Sequence, residues 1–248
     1  KIAMLPSITS LQNPLIKHLV KLRQNRDYRY EQRSVLIDGI KQVNELSRHL
    51  LPKCVLAIDE DLIPQGITKN TYLINSSVLN KISGLPSPEG LLAEFPMPFP
   101  ADLTAARRIL ALDGINDPGN LGTLLRTALA LGWNGVYLLA ECCDPFNDKA
   151  LRAGKGAAFH LPILQGTAQE LKKIAQKNKL KPFAADLDGK SIDEIDIKNG
   201  VLLVLGNEGH GISPEVKAFC QTVTIPLSEK MESLNVAIAG GILMHRMR

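Results

Sequence analysis

VLLVLGNEGHGIS, residues 201–213, decides the fold. Five apolar residues follow one another without polar alternation, as in a strand buried on both faces of a parallel sheet. Gly206 ends the run, and Asn207, Glu208, Gly209, His210 and Gly211 lead to a helix start at Ser213 and Pro214. The same alternation recurs on either side. RILAL (108–112) precedes a helix over 116–132, GVYLLA (135–140) a helical stretch over 147–158, and FHLPIL (159–164) the helical AQELKKIAQKNKL (168–180). KPFAAD (181–186) then reads as a strand, PEVKAFC (214–220) as a helix, TVTIPL (222–227) as a strand, and 233–247 as a last helix. The expected fold is α/β with a parallel sheet.

Further toward the amino end the composition breaks. FPMPFP (95–100) has prolines at alternate positions and continues neither a helix nor a central strand, which predicts a linker over 98–104 between domains at 1–97 and 105–248. Before it, SVLI (34–37), CVLAI (54–58), TYLI (71–74) and GLLAEF (90–95) alternate with helical stretches at 39–50 and 76–83, a second, smaller α/β unit. The chain of 248 residues carries a formal net charge of +4. Residues 1–53 hold 10 Lys/Arg against 4 Asp/Glu, and the rest 19 against 21, so the basic character lies in the first fifth. There, IKHLVKLRQNRDYRYEQRS (16–34) reads as one helical pattern. Leu15, Ile16, Leu19 and Leu22 form its apolar side, with Lys17, Lys21, Arg23, Arg26, Arg29 and Arg33 outside it. Such a face suits a polyanion such as RNA, with Tyr28 or Tyr30 free to stack on an unpaired base; a merely solvated helix would show the same pattern.

Several classes are excluded. No apolar run is long enough for a membrane helix, and KIAMLPSITS (1–10) lacks the apolar core of a secretory signal, which points to a reducing cytoplasm. The four cysteines form no C-x-x-C pair and the five histidines no ligand-spaced cluster, so no metal is expected. Neither G-x-G-x-x-G after the first strand of the larger domain nor G-x-x-x-x-G-K-[ST] occurs, and a carboxylate at Glu208 repels phosphate, so the glycine loop suits a cationic or neutral ligand.

In α/β sheets ligands bind beyond the carboxyl ends of strands. NDPGNLGTLLRTALALG (116–132) follows one such end. Leu121, Leu124, Leu125, Ala128 and Leu131 share a face, while Arg126 projects elsewhere beside Gly122 and Ala130, whose small size leaves room around the guanidinium. Asn120 reads as a helix cap or a site residue. In IPLSEKMESLNVAIAGG (225–241), Ser233 is the expected helix cap and Asn235 falls in the first turn. Gly240 and Gly241 cost a helix about 1 kcal/mol each, which implies a close helix contact, a dimer interface being one candidate.

Together, in this order and spacing, the three loops closely resemble the motifs of the SpoU (TrmH-like) branch of the SPOUT RNA methyltransferases. The resemblance spans most of 107–248. SLQNPLIKHLVKLRQNRDYR (10–29) with SVLIDGIKQVNEL (34–46) resembles the amino-terminal substrate-binding domain of that family, a ribosomal-protein-like α/β/α unit. The resemblance implies S-adenosylmethionine-dependent methylation of a ribose 2′-hydroxyl, in large-subunit ribosomal RNA rather than tRNA because of the separate amino-terminal domain. It further implies a carboxyl-terminal deep trefoil knot holding the cofactor, and a homodimer packed through the first and last helices of the knot domain.

Carried over residue by residue, Leu205, Gly206, Asn207, Gly209, Ile225, Leu227, Leu234 and Asn235 would hold the cofactor. Arg126, Asn120, Glu208, Ser233 and Asn235 would form the catalytic group, and Lys17, Lys21, Arg23, Arg26, Arg29 and Arg33 would meet RNA. A guanidinium is a poor base at neutral pH, so Arg126 is expected to stabilise the developing alkoxide with Glu208 orienting it. The chain departs from the family at Glu229 or Lys230, where glycine is common, and at Lys155, where a small residue or methionine is usual. Outside catalysis stands an RNA-binding relic of the fold; a dehydrogenase would bind NAD rather than S-adenosylmethionine.

Overall fold

The computed structural model describes residues 5–197 and 199–248. The first four residues of KIAMLPSITS, and of the expected 1–97 domain, lie outside the described residues. Two compact units result: one reaches to Pro98 and includes Phe146–Asp148, the other is Phe99–Pro145 with Lys149–Arg248.

The first unit contains β1 (Ser7–Ile8), α1 (Pro14–Gln24), α2 (Arg26–Gln32), β2 (Ser34–Asp38), α3 (Ile40–Ser47), β3 (Cys54–Ala57), β4 (Thr71–Ile74), α4 (Ser76–Ser83) and β5 (Leu91–Pro96). Its sheet runs β1-β4-β3-β5-β2, with β5 antiparallel to both neighbours and the remaining pairs parallel. Period-two alternation turns Leu36, Leu56 and Leu92 toward Ile16, Leu19 and Leu22 of α1 and Val78, Leu79 and Ile82 of α4. On β2 and β5, against which α3 packs, the intervening residues face the other way.

The helical pattern over 16–34 is two helices. Asn25 adopts an extended conformation (φ −120°, ψ 116°), ending α1, and its side-chain oxygen accepts from the Tyr28 N–H to cap α2. Periodicity is blind to this break because an asparagine can sit mid-pattern and still cap the next helix.

The second unit contains β6 (Arg108–Asp113), α5 (Pro118–Ala130), β7 (Gly135–Leu138), α6 (Asp148–Gly154), β8 (Ile163–Gln165), α7 (Ala168–Lys177), β9 (Lys181–Ser191), β10 (Val201–Gly206), α8 (Pro214–Lys217), β11 (Gln221–Thr224) and α9 (Val236–Arg246). The sheet order is β11-β9-β10-β6-β7-β8, with every pair parallel. Leu202 and Val204 of β10 and Ile109 and Ala111 of β6 join Leu171 and Ala175 of α7 and Val216 of α8 in one core. Ala101 and Leu103, within the expected linker, belong to this unit. Ala101 N–H donates to Ile163 O (2.9 Å), and the buried Asn178 amide donates to Leu103 O (2.7 Å) and Ala106 O (3.0 Å).

After β6 the chain steps outward through β7 and β8, crosses to β9, and returns in β10 beside β6. The loops after β6 and β10 therefore leave the sheet side by side, at its switch point, with Gly206 in register with Asp113. β9 carries a second device: Ala184 pairs with Thr222 but Lys190 with Val223, so 185–189 arch out of the sheet.

Of the two glycines expected at a close helix contact only Gly240 makes one within the chain, since a Cβ on Gly241 would lie an ordinary 3.7 Å from Thr127 Cγ2. A Cβ on Gly240 would lie 2.5 Å from Leu124 Cδ2 and 2.6 Å from Leu205 Cδ1, so α9 presses onto α5 and β10. Gly122, expected to leave room beside Arg126, instead lets α6 approach: a Cβ there would stand 2.3 Å from Ala150 O. Backbone cannot swing aside as a side-chain tip can, so Gly122→Ala is expected to cost about 1–3 kcal/mol, read as a lower melting temperature. An unchanged melting temperature would show that the two helices are not so tightly apposed.

Candidate functional site

Three loop residues meet at the switch point. Asp117 caps α5 by accepting from Asn120 N–H (2.7 Å), with Pro118 in the first turn, so Asn120 is not itself the cap and its side chain is left for other work. Asn235, not Ser233, caps α9: its Oδ1 accepts from the N–H groups of Ala237 (2.9 Å) and Ile238 (3.3 Å). Committing Oδ1 to the helix fixes which end of the amide turns outward. The Nδ2 so exposed donates to Asn120 Oδ1 (3.0 Å) and to Glu208 Oε1 (3.3 Å). Asn120 Nδ2 donates to the same Glu208 oxygen at 2.8 Å. One carboxylate oxygen thus ties the starts of α5 and α9 to the loop after β10.

That arrangement corrects one expectation. Glu208 orients the two asparagines rather than Arg126, which is exposed and has no hydrogen-bond or ion-pair partner among the described residues. At about 100° per residue, Arg126 sits roughly 120° around α5 from Asn120, away from the side that meets α9.

The β10 loop is built by Asn207. Its Oδ1 accepts from the N–H groups of Gly209 (2.7 Å) and His210 (3.2 Å), and its Nδ2 donates to Gly114 O (2.8 Å) of the β6 loop. Gly206 leaves no space for a side chain, since a Cβ would lie 2.4 Å from the Gly211 carbonyl carbon. Beside this loop opens a cleft of about 690 Å³. Leu205, Gly206, Asn207, Gly209, Ile225, Leu227, Leu234 and Asn235 line it, as do Glu208 and Ser233; Asn120 and Arg126 do not. Glu229, Lys230 and Lys155 are exposed and stand outside the lining.

Sequence reasoning missed one wall of the cleft, Asp186, Leu187 and Asp188 on the β9 arch. Lys217 pairs with Asp186 and, with the Asp188 N–H, holds its carboxyl below the usual aspartate value. The only cue was DLDG (186–189), a turn-like run inside a strand. The lining includes Asp186, Asp188 and Glu208 but neither lysine nor arginine. No group of three or more His, Cys, Asp or Glu suited to a metal occurs among the described residues, and all four cysteines are free. Burial pushes the thiols of Cys54, Cys143 and Cys220 up to about 12, which leaves them unreactive as nucleophiles.

The six basic residues of the first unit part company. Lys17, Lys21 and Arg26 are exposed. Arg29 is 3% exposed and donates through Nη1 to Leu22 O (2.7 Å) and Arg23 O (2.9 Å), so it fastens α2 to the end of α1 and is withdrawn from the RNA-facing set. Arg23 Nε donates to Ile82 O (2.7 Å) and Arg33 Nη2 to Pro98 O (2.7 Å), structural bonds for half-buried side chains. The tyrosines are not free platforms either: Tyr28 bonds His18 Nδ1 (2.8 Å) with Lys21 Nζ 4.1 Å over its ring, and Arg26 lies 5.0 Å over Tyr30.

A parallel sheet with an acidic cleft at its switch point defines an α/β protein built for a neutral or cationic ligand. The comparisons narrow this. Residues 107–245 match the SpoU rRNA Methylase family, and residues 13–93 match the MRM3-like substrate binding domain. The chain is 31% identical to the 23S rRNA (guanosine(2553)-2′-O)-methyltransferase RlmP of Bacillus subtilis, over 97% of this chain and 98% of that protein. It is 32% identical to an uncharacterized tRNA/rRNA methyltransferase of Synechocystis, over 98% and 93% respectively. Among solved structures, an AdoMet-bound rRNA methyltransferase from Sinorhizobium meliloti superposes with a TM-score of 0.85 at 29% identity, covering 98% of this chain and 97% of that one. The chain belongs to the SpoU rRNA methylase family.

Proposed function

We propose that the protein transfers a methyl group from S-adenosylmethionine to a ribose 2′-hydroxyl of 23S ribosomal RNA. The observation that carries this reading is the cleft: it is large enough for a nucleoside-sized ligand, and its lining has three carboxylates, one of them paired with Lys217, and neither lysine nor arginine to hold a phosphate. That donor set fits a sulfonium cofactor and disfavours a dinucleotide. Bound there, S-adenosylmethionine supplies an electrophilic methyl group.

The chain's own residues do the rest. Leu205, Gly206, Asn207, Gly209, Ile225, Leu227, Ser233 and Leu234 shape the cleft, and Glu208 and Asn235, also in its lining, bond Asn120. Their amides and carboxylate hold one another, so they meet the ribose already oriented and the reaction spends little on reorganisation. Arg126 stabilises the alkoxide that develops as the hydroxyl loses its proton to water or phosphate. The unit that reaches to Pro98 grips RNA, and the unit that begins at Phe99 carries the reaction.

Two further features belong to this reading. The segment from β11 to α9 is tucked as a trefoil knot, in keeping with the burial of α9 against α5 and β10 and the bond from Trp133 Nε1 to Met244 O (3.2 Å). The protein is a homodimer through α5 and α9, where Leu129, Ile238 and Ile242 stand 38%, 56% and 38% exposed on apolar helix surfaces. Arg126 shares the exposed face of α5 with Leu129, so a second copy would bring it a site that its own chain does not. A ribosomal RNA substrate places the protein in the cytoplasm; among the described residues no helix is long and apolar enough to cross a membrane.

The test is transfer of labelled methyl to total RNA from cells lacking the gene, followed by nuclease digestion. The expected result is label in a 2′-O-methylated nucleoside at one position of 23S rRNA. Cofactor binding with no label in any RNA would overturn the reading in favour of an RNA-binding protein.

A further inference from the structure

A second hollow lies in the first unit, remote in sequence from the cleft. It measures about 380 Å³, within the range of about 300–1,000 Å³ typical of small-ligand pockets. Leu11 and Val20 supply an apolar floor, Leu11 standing 40% exposed. Lys17 and Lys21 from α1 and Lys81 from α4 ring it, and all three are exposed. None of these ammonium groups pairs with a carboxylate among the described residues, whereas Lys41 and Lys53 of the same unit pair with Glu45 and Glu94. Gln24, also exposed, adds an amide that can both donate and accept.

Cations alone would describe any phosphate-facing surface. An apolar floor inside a ring of cations that no carboxylate neutralises, Lys21 among them resting on the Tyr28 ring, with an amide at its edge, is the chemistry of a single nucleotide: a flat apolar base, polar along its rim, with phosphate on either side. A base within a duplex cannot use such a floor, because its faces are stacked and its edge is paired. We propose that this pocket takes an unpaired nucleotide of the RNA substrate. The base lies on Leu11 and Val20, Gln24 reads its edge, and Lys17, Lys21 and Lys81 hold the flanking phosphates. The proposal rests on the RNA-methyltransferase reading and adds to it what the substrate-binding unit grips: an unstacked base rather than a helix.

The test uses the full chain, a labelled random-sequence single-stranded RNA of about ten nucleotides, and a duplex of the same length. Binding is followed by anisotropy across a salt series, and S-adenosylmethionine affinity is measured separately by calorimetry. The wild type is expected to prefer the single strand. K17A/K21A/K81A should weaken that binding at least about tenfold and lower the salt slope by about 2, at roughly 0.7 for each phosphate that no longer meets a lysine. Leu11→Asp, an exposed change with little reason to unfold the chain, should weaken single-strand binding and leave duplex binding unchanged. Cofactor affinity should stay the same in both variants, which also reports intact folding of the second unit. Equal binding of duplex and single strand, or unchanged affinity in both variants, overturns the pocket and leaves the methyltransferase reading standing. A wild type that binds single-stranded RNA here but neither binds S-adenosylmethionine nor transfers methyl overturns that reading instead, with the pocket intact.

Discussion

Arg126→Ala is expected to lower methyl transfer by about a hundred- to a thousandfold, the usual loss when a donor aimed at a developing oxyanion is removed. Cofactor affinity should not change, because Arg126 does not line the cleft. Arg126→Lys should recover little, since an ammonium keeps the charge but not the planar fork; substantial activity in the lysine variant would remove that requirement. The geometry also makes a sharper claim. Arg126 has no partner among the described residues of its own chain and faces away from the side of α5 that meets α9. In the proposed dimer it would serve the partner's cleft. Each inactive alone, Arg126→Ala and Glu208→Ala should therefore complement when purified as a mixed dimer, because one of the two sites then combines an intact arginine with an intact glutamate. No recovery in the mixed dimer would place Arg126 with its own chain's cleft and remove the cross-subunit role.

How far the sequence revealed this arrangement depended on the distance over which each signal acts. Strand β10 was legible because five apolar residues in a row leave a strand no solvent face, and the same logic located β6 and the parallel sheet. The break at Asn25 was not legible, since capping is decided by one side chain and one N–H and leaves the spacing of leucines untouched. Arg29 reads as surface in any charge count, yet two carbonyls at the end of α1 draw it inside. Asn120, Glu208 and Asn235 were each visible as polar residues in loops. Their mutual bonding was not, because it joins positions 88 and 115 apart in sequence, and only the return of β10 beside β6 closes that distance. The β9 arch had no periodic signature beyond the turn-like DLDG (186–189), and the register shift against β11 is what turns Asp186 and Asp188 into a wall.

The second large effect follows from how Asn235 divides its amide. Asn235→Asp preserves the cap, because a carboxylate oxygen accepts from Ala237 and Ile238 N–H as an amide oxygen does, and aspartate caps helices as well as asparagine. The other end of the group changes from a donor into a second anion facing Glu208 Oε1, at the 3.3 Å now spanned by a hydrogen bond. Two carboxylates so placed cannot both ionise cheaply, so the pair titrates as a unit with one proton held above the ordinary carboxylate range. At neutral pH the variant should lose methyl transfer by about a hundredfold, as Asn120 is left between repelling groups. As the pH falls the shared proton returns, an O–H donates where the N–H had donated, and the ratio of variant to wild-type rate should rise. Stability must follow the same sign. A folded-state pKa raised above its unfolded value contributes stability that is fully present below the unfolded value and is lost as the pH rises through the folded one. The variant should therefore match the wild type's melting temperature in acid and fall below it near neutrality. Asn235→Ala, which loses the cap itself at about 1 kcal/mol, should stay destabilised at both. A rate ratio for Asn235→Asp that does not change with pH would show that the asparagine does not face Glu208 during the reaction, and that the three-residue cluster belongs to the resting protein alone.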